Sequence, residues 1–394
     1  MSAPVVVIGG GVNGLAAAHW LARAGKRVVV LDERTATDPR SFESGWIPPA
    51  LIRELDLASK GLVVQAPDPW ISAPLADGRR LELWQDAARS ADSIRQFSVR
   101  DAERWPAFCE QMQRHAGLIE VLYTALPPDV MTHDWGELAR VAKLALRARR
   151  LGRATLESFL RVMPMSVADL LDDWFECDAL KGVLGAGGVM HLHQGPRSGG
   201  TAFGLLHHHV GSRFGVFRPS FSNIAQVLEK LPGIERRENA TVKQIDVKAG
   251  GVTGVTLADG SRIDASCVVS GAHPRRTLLD WVDTGCLDPE MMRGLRNIRA
   301  RGVVAHIVLA LDRAPGFSTL AVVPSLDYLE RAYDDAKYRR VSREPFIEAR
   351  YESQANAERH TVKVHMQYAP FMLDEGTWDA MRARSLAEIV VAAL

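Results

Sequence analysis

The sequence predicts an α/β fold in which a parallel-sheet unit is interleaved along the chain with a second, mixed α+β unit. Three observations carry this. Val5–Ile8 is a bare apolar run followed by "GGGVNG", a helical stretch and a second apolar run, Val28–Leu31, which is the βαβ opening of a parallel sheet. No further βα pair follows directly. A second αβ region lies far downstream instead, from about Ser222 to Val282, and the segments around it mix helices with strands.

Each element follows from local chemistry. Val5–Ile8 has no polar face and suits a strand covered on both sides. A helix is expected from about Gly14 to Ala24, with Gly25 placed to end it in a left-handed conformation. From Arg34 to Pro49 the chain is polar and turn-rich. Helices are expected around Ala50–Leu57 and Val99–Thr124. "LARVAKLALRARRLGRA" (Leu138–Ala154) spaces apolar residues helically among Arg and Lys. It reads as an amphipathic surface helix, and contact with anionic lipid or an acidic partner is the alternative. "SNIAQVLEKL" is a further helix. "ATVKQIDVKAGGVTGVTLADGSRIDASCVVSGA" reads as four strands alternating with "AGG" and "ADGS" turns. A helix near Pro289–Ile298, a strand at Val303–Leu311 and a mixed tail follow.

The bulk numbers bound the function. With 394 residues, 47 % of them hydrophobic, the chain can build two cores. Its 48 Lys and Arg balance 47 Asp and Glu, which gives no electrostatic reason to expect nucleic acid as a partner. Cys109, Cys177, Cys267 and Cys286 make no CxxC or metal-like spacing. They read as free thiols of a reducing compartment, so a cytoplasmic location is expected. Too few residues precede the first strand for a signal peptide, and no apolar window reaches the roughly 18 residues that span a bilayer. Peripheral membrane contact stays open.

The glycines at 9, 11 and 14 have the spacing of a dinucleotide-binding loop, and here a strand precedes them and a helix follows. Gly9 allows the tight turn. A side chain at Gly11 would block a pyrophosphate, and Gly14 lets the helix pack on the strand. The helix N-terminus then offers unpaired N–H groups and a positive dipole end to the diphosphate. Asp32, at the end of the second strand, is placed to hold a ribose diol, with Glu33 next. A carboxylate there repels a 2′-phosphate, which disfavours NADP. The motif alone does not choose FAD over NAD.

The remaining stretches carry a resemblance. "VIGGGVNGLAAAHWLARAGKRVVVLDER", "GPRSGGTAFGLLHHHVG", "GVTLADG", "VVSGAHPRRTLLDWV", "SLDYLERAYDDAKYRRVSREPF" and "VHMQYAPF" span Val7 to Phe371. Together they resemble the phytoene-desaturase-like branch of FAD-dependent oxidoreductases. The resemblance implies a GR2-type, glutathione-reductase-like Rossmann domain assembled from residues 1–65 and 215–285, and a mixed α+β substrate domain from 66–214 and 286–394. It implies noncovalent FAD and hydride transfer between the flavin and a lipophilic substrate. In that arrangement the late hairpin flanks the adenine and Val242 meets its edge through the backbone. "VVSGAHP" would end beside the glycine loop, with Gly271 allowing close approach. The candidate cofactor set is Gly9, Gly11, Asn13, Gly14, Asp32, Glu33, Arg34, Val242, Ser270 and Gly271. No catalytic side chain is named, since hydride transfer to a flavin asks the protein mainly for alignment and exclusion of water.

Three departures from the family pattern shape the expectation. "RTATDPRSFESGWIPP" lacks the second glycine pair that approaches the FAD diphosphate. "FRPSFSNIAQVL" stands where the family carries Pro-x-Gly-Gly-Met, so Ser220, Phe221 and Ser222 replace glycines near the flavin ring. The sequence ends at "SLAEIVVAAL", where the family continues into a glycine-rich segment that closes over the flavin. In that ending Leu386, Ile389, Val390 and Leu394 form an apolar stripe at helical spacing, which calls for a protein partner to cover it. The alternative reading is therefore a degenerate or truncated, non-catalytic dinucleotide- or partner-binding relative. An NAD-dependent dehydrogenase is a third.

Other constellations are weaker. His191 and His193 would share one strand face, and His207 and His209 another. They read as structural residues or as the lining of a substrate tunnel, and no metal is expected. "GPRSGGTAF" (Gly195–Phe203) is a glycine-rich loop after an expected strand and lacks the Lys-Ser/Thr of a phosphate-binding P-loop. Trp46, Trp70, Trp84, Trp105 and Trp135 suit an apolar domain. The absence of a GxSxG elbow removes a serine hydrolase.

Overall fold

The computed structural model describes residues 3–34, 46–125, 134–150, 152–211, 221–352 and 360–394. The chain divides into two compact units, Met1–Gln65 with Phe221–Ala300, and Ala66–Ser220 with Arg301–Leu394. The return into the first unit thus falls at Phe221 rather than 215, and the exit at Ala300 rather than 285. The later exit brings the helix Pro289–Asn297 into the first unit. Trp281, only 7 % exposed, anchors the chain in that unit's core. Asp283 then caps the short 3-10 turn Thr284–Cys286, and Asp288 caps the helix Pro289–Asn297.

In the first unit, strand β1 (Val5–Ile8), helix α1 (Val12–Arg23) and strand β2 (Val28–Leu31) form the expected βαβ opening. The four-stranded sheet runs Cys267–Ser270, β1, β2, Glu235–Arg237, and every pairing is parallel. Strand alternation explains the bare apolar runs. Val6, Ile8, Val29 and Leu31 face one core, shared with Val242, Ile245, Val255 and Leu257 of the late hairpin. Val7, Val28 and Val30 face the other, against Leu15 of α1 and Ile224, Val227 and Leu228. Three layers result, so β1 and β2 have no wet face.

The late region forms the four expected strands: Val242–Lys248, Gly251–Leu257, Arg262–Asp264 and Cys267–Ser270. The first three make an antiparallel sheet and the fourth returns to β1. Helix α1 starts at Val12, two residues earlier than expected, because Gly11 is extended and its carbonyl already accepts the Leu15 amide at 2.9 Å. Its end is as expected. Gly25 has φ +75°, and its amide and that of Lys26 reach back to Ala22 and Leu21. His19 Nε2 bonds the Leu228 carbonyl at 2.7 Å, tying α1 to the helix Ile224–Lys230.

The second unit holds a six-stranded mixed sheet, in the order Val304–Leu311, His360–Gln367, Ile347–Glu352, Thr319–Val322, Ile71–Pro74, Arg80–Leu83. Helix Ala380–Ala393 carries the C-terminal stripe, and here the structure corrects the sequence reading. Leu386 and Val390 are buried against Leu320, Ile347, Val364 and Met366 of this chain's own sheet. The strands alternate, so each presents an apolar row that this helix covers. Leu394, 43 % exposed, lies outside that core.

A second correction concerns "DALKGVLGAGGV", which is a helix, Asp178–Val189, so the loop Gly195–Gly200 follows a helix and not a strand. Its glycines serve helix contact. A Cβ on Gly188 would lie 2.8 Å from the Thr201 carbonyl, and one on Gly204 would lie 2.4 Å from the Gly188 carbonyl. The helices Asp178–Val189 and Thr201–His207 therefore touch backbone to backbone. Beside them Trp105 and Phe108 of the helix Val99–Tyr123 pack with Phe175, with Phe108 and Phe175 edge to face at 4.9 Å. The basic stretch forms the helix Trp135–Arg150, with Trp135 85 % exposed. Among the described residues no helix is long and apolar enough to cross a membrane. All four cysteines are free thiols, and burial pushes that of Cys109 up to about 12.

Candidate functional site

The glycine loop is built by backbone proximity. Gly9 has φ +104° and its amide bonds the Leu31 carbonyl at 2.7 Å, pinning the end of β1 to β2. A Cβ at Gly14 would sit 2.0 Å from the Gly9 carbonyl oxygen, so only glycine lets α1 start this close to the strand. Around Gly11 there is open space instead, with nothing within 4 Å of a built Cβ. Helix α1 has no side-chain cap and no acid in its first turn, and Asn13 stands exposed on that turn. The first N–H groups of α1 and its positive dipole end thus meet open space beside Gly11, the arrangement that holds a diphosphate.

Asp32 is 6 % exposed and lies against the loop. A Cβ on Gly10 would fall 2.0 Å from its Oδ2, so the middle one of the three consecutive glycines makes room for the carboxylate. Sequence spacing passed over Gly10, although the run of three glycines was its signal. The Arg34 amide and Nε donate to Asp32 Oδ1, both at 3.2 Å, and Nη2 donates to Oδ2 at 3.4 Å. A carboxylate has about four acceptor positions, so Oδ2 keeps capacity for a hydroxyl. Glu33 is exposed and bound bidentately by Arg276 at 2.9 and 3.2 Å. Arg276 also stacks over Trp281 at 4.9 Å and belongs to a single π-helical turn, Arg276–Asp280. Nothing in the sequence pairs Arg276 with Glu33.

The return strand reaches this loop. The Gly271 amide donates to the Ile8 carbonyl at 2.8 Å, and a Cβ on Gly9 would lie 3.8 Å from Gly271 Cα. Ser270 Oγ and Thr277 Oγ1 are hydrogen-bonded at 2.7 Å, and Ser270 Oγ accepts from the Ala272 amide at 3.2 Å, so this hydroxyl shapes the turn out of the strand. Val242 begins the hairpin strand with its side chain buried in the core between sheets. Within one unit the structure thus brings together the glycine loop, Asp32, Arg34, Ser270 and Gly271. Most of "RTATDPRSFESG" and Phe217–Ser220 lie outside the described residues, as do the side chains of Phe221 and Ser222.

The histidines of the second unit are not on strand faces as expected. His207 and His208 end the helix Thr201–His207, and His191 follows the helix Asp178–Val189. The neighbouring ring pairs in order are His207–His208 at 5.1 Å, His208–His191 at 6.5 Å, His191–His365 at 4.8 Å and His365–His306 at 5.7 Å. Sequence reading missed His365 and His306, which are cross-strand partners on adjacent strands. His365 is 4 % exposed, and burial, with help from His191 and His306, lowers its pKa to about 3. Among the described residues no group of His, Cys, Asp or Glu has the geometry of a metal site.

A family model described as FAD dependent oxidoreductase matches residues 4–180. The chain is 27 % identical over 447 residues to pyridine nucleotide-disulfide oxidoreductase domain-containing protein 2 of Rattus norvegicus, covering 98 % of this chain and 77 % of that one. It is 28 % identical over 302 residues to a limonene dehydrogenase component of Castellaniella defragrans, covering 69 % and 52 %. It is 23 % identical over 295 residues to phytoene desaturase of Fusarium fujikuroi, covering 68 % and 49 %. Among solved structures, an oxidoreductase from Methanosarcina mazei shares the fold with a TM-score of 0.56 at 16 % identity, over 99 % of this chain and 83 % of that one. A putrescine oxidase bound to putrescine shares it at 0.54 and 16 %, over 100 % and 81 %.

Proposed function

Since the chain belongs to the FAD-dependent oxidoreductases, we propose that it is an enzyme that binds FAD and moves a hydride between it and a lipophilic substrate. The observation that carries the cofactor reading is the 2.8 Å bond from the Gly271 amide to the Ile8 carbonyl. It sets a late return strand beside the glycine loop, in a sheet whose place next to β2 is taken by Glu235–Arg237 and not by a consecutive βα unit. That split construction supports FAD over NAD. In this reading the first N–H groups of α1 receive the diphosphate, Asp32 Oδ2 accepts a ribose hydroxyl, and Arg34 orients the Asp32 carboxylate. The backbone of Val242 meets the adenine edge. When bound, FAD supplies a hydride acceptor, or donor, at N5 of its ring. The lipophilic substrate class is supported by relatives named for dehydrogenating limonene and desaturating phytoene. No side chain is assigned a proton transfer.

The test is the visible spectrum of the purified chain after incubation with FAD and desalting. Retained flavin absorbance, bleached by dithionite and restored by air, is the expected result. A colourless chain that takes up no FAD would overturn the proposal and favour a non-catalytic relative. Asp32→Asn is expected to weaken FAD about tenfold in calorimetric titration, because the amide turns two donors toward Arg34 and the ribose. Undiminished affinity would remove Asp32 from the site.

A further inference from the structure

The second unit contains a cationic pocket that the dinucleotide reading does not use. It has a volume of 180 Å³ and is lined by His193, Arg301, Lys337, Arg339, Pro370 and Met372, with Gly302 at its floor. The lining residues come from separate segments. His193 lies in the loop after the helix Asp178–Val189, Arg301 and Gly302 precede the strand Val304–Leu311, and Lys337 and Arg339 lie at the end of the helix Leu326–Lys337. No carboxylate is among the lining residues. Neither Arg301 nor Arg339 has an ion-pair partner among the described residues, and Lys337 has only a 3.9 Å approach to Asp334.

The walls that present these charges are fixed. Arg339 is held at φ +62°, its amide bonded to the Ala336 carbonyl at 2.9 Å and its carbonyl accepting the Asp374 amide at 3.1 Å. The Gly302 carbonyl accepts the Phe371 amide at 2.8 Å, and a Cβ there would lie 3.2 Å from Phe371 Cβ. The His193 ring stands edge-on to Tyr333 at 5.8 Å. Arg301, Lys337 and Arg339 bring three like charges to the lining of one concavity, where they repel each other and no lining carboxylate offsets them. An oxyanion bearing two charges would, and the guanidinium forks suit phosphate oxygens. Part of the lining is apolar, from Pro370 and Met372, the latter 64 % exposed, and Phe371, 76 % exposed, packs against the lining residue Gly302.

We propose that this pocket binds the phosphate monoester group of a molecule whose remainder is apolar and lies against Phe371 and Met372. Two sources share that chemistry, a soluble phosphate ester and a phosphatidic-acid headgroup at a bilayer surface. The test compares the full-length chain with its Arg301→Gln, Arg339→Gln double variant. Both arginines are exposed, so the substitutions leave the core intact, and the glycine loop is untouched. Phenyl phosphate is titrated calorimetrically, and sedimentation with phosphatidic acid–phosphatidylcholine vesicles is measured beside phosphatidylcholine alone. Binding of phenyl phosphate that weakens about tenfold per arginine supports the proposal with a soluble source. Vesicle binding that needs phosphatidic acid and is lost in the double variant supports it with a lipid source. Absence of both, or binding equal in the two proteins, overturns it. Loss of FAD leaves these readouts unchanged, so the proposal stands or falls apart from the cofactor assignment.

Discussion

Gly14→Val is expected to abolish retention of FAD while most of the chain stays folded. The Cβ would stand 2.0 Å from the Gly9 carbonyl oxygen, which is backbone and cannot rotate away. Relief requires α1 to lift from β1, and Gly9 is itself fixed by its 2.7 Å bond to Leu31. Overpacking of this kind costs about 3 kcal/mol, equivalent to more than about a hundredfold in Kd when the binding geometry bears the strain. Gly11→Ala separates the two roles of the loop. Its Cβ meets no protein atom, so stability should hold while the diphosphate is crowded. Titration of both variants with FAD, with circular dichroism as the folding check, tests this. Wild-type FAD affinity in Gly14→Val would show that the cofactor lies elsewhere.

Acid should destabilise the second unit well before its carboxylates titrate. His365 is buried neutral with its pKa lowered to about 3, and His115, 1 % exposed, is lowered to about 4. Burial also drives His209 well down. An unfolded histidine takes its proton near pH 6.5. Each folded pKa lies below that, so the stabilisation is full above about pH 6.5 and is lost as pH falls toward the folded values. Between pH 7.5 and 5.0 each such histidine withdraws about 2 kcal/mol, a large share of a domain's net stability. Urea midpoints at the two pH values measure the loss. His115→Phe, which keeps a ring against Phe159, should flatten the dependence, and a pH-independent midpoint would refute the argument.

The parts of the fold that sequence made legible are those with a local physical cause. Continuous apolar strands, a loop that tolerates only glycine and a helix stopped by Gly25 each follow from neighbours in the chain. The four late strands were legible for the same reason, since alternation and glycine turns are local. "GVLGAGGVMHLH" misled because its glycines answer a partner, the helix Thr201–His207, that the local pattern does not show. The C-terminal stripe looked orphaned for the converse reason, its cover being strands such as Thr319–Val322 and Ile347–Glu352. At the site, Asp32 and the loop glycines were legible from spacing. The Arg276 grip on Glu33 and the junction of His365 with His191 were not, because pairs so distant in sequence leave no periodic trace.

The pairing of Val5 with Cys267 has a consequence for how the molecule comes into being. Strand β1 is made well before Cys267–Ser270, so one of its two hydrogen-bonded edges finds its partner only after Ala66–Ser220 and the late hairpin have been made. The second unit is likewise incomplete until Arg301 and later residues arrive. Neither can close early, so the nascent chain carries an apolar open edge until Cys267–Ser270 has been made. Such non-local closure is slow and exposes the chain to aggregation. In refolding, the amides on that edge of β1 should gain protection from hydrogen exchange in the last phase, which places the glycine loop among the final structures to form.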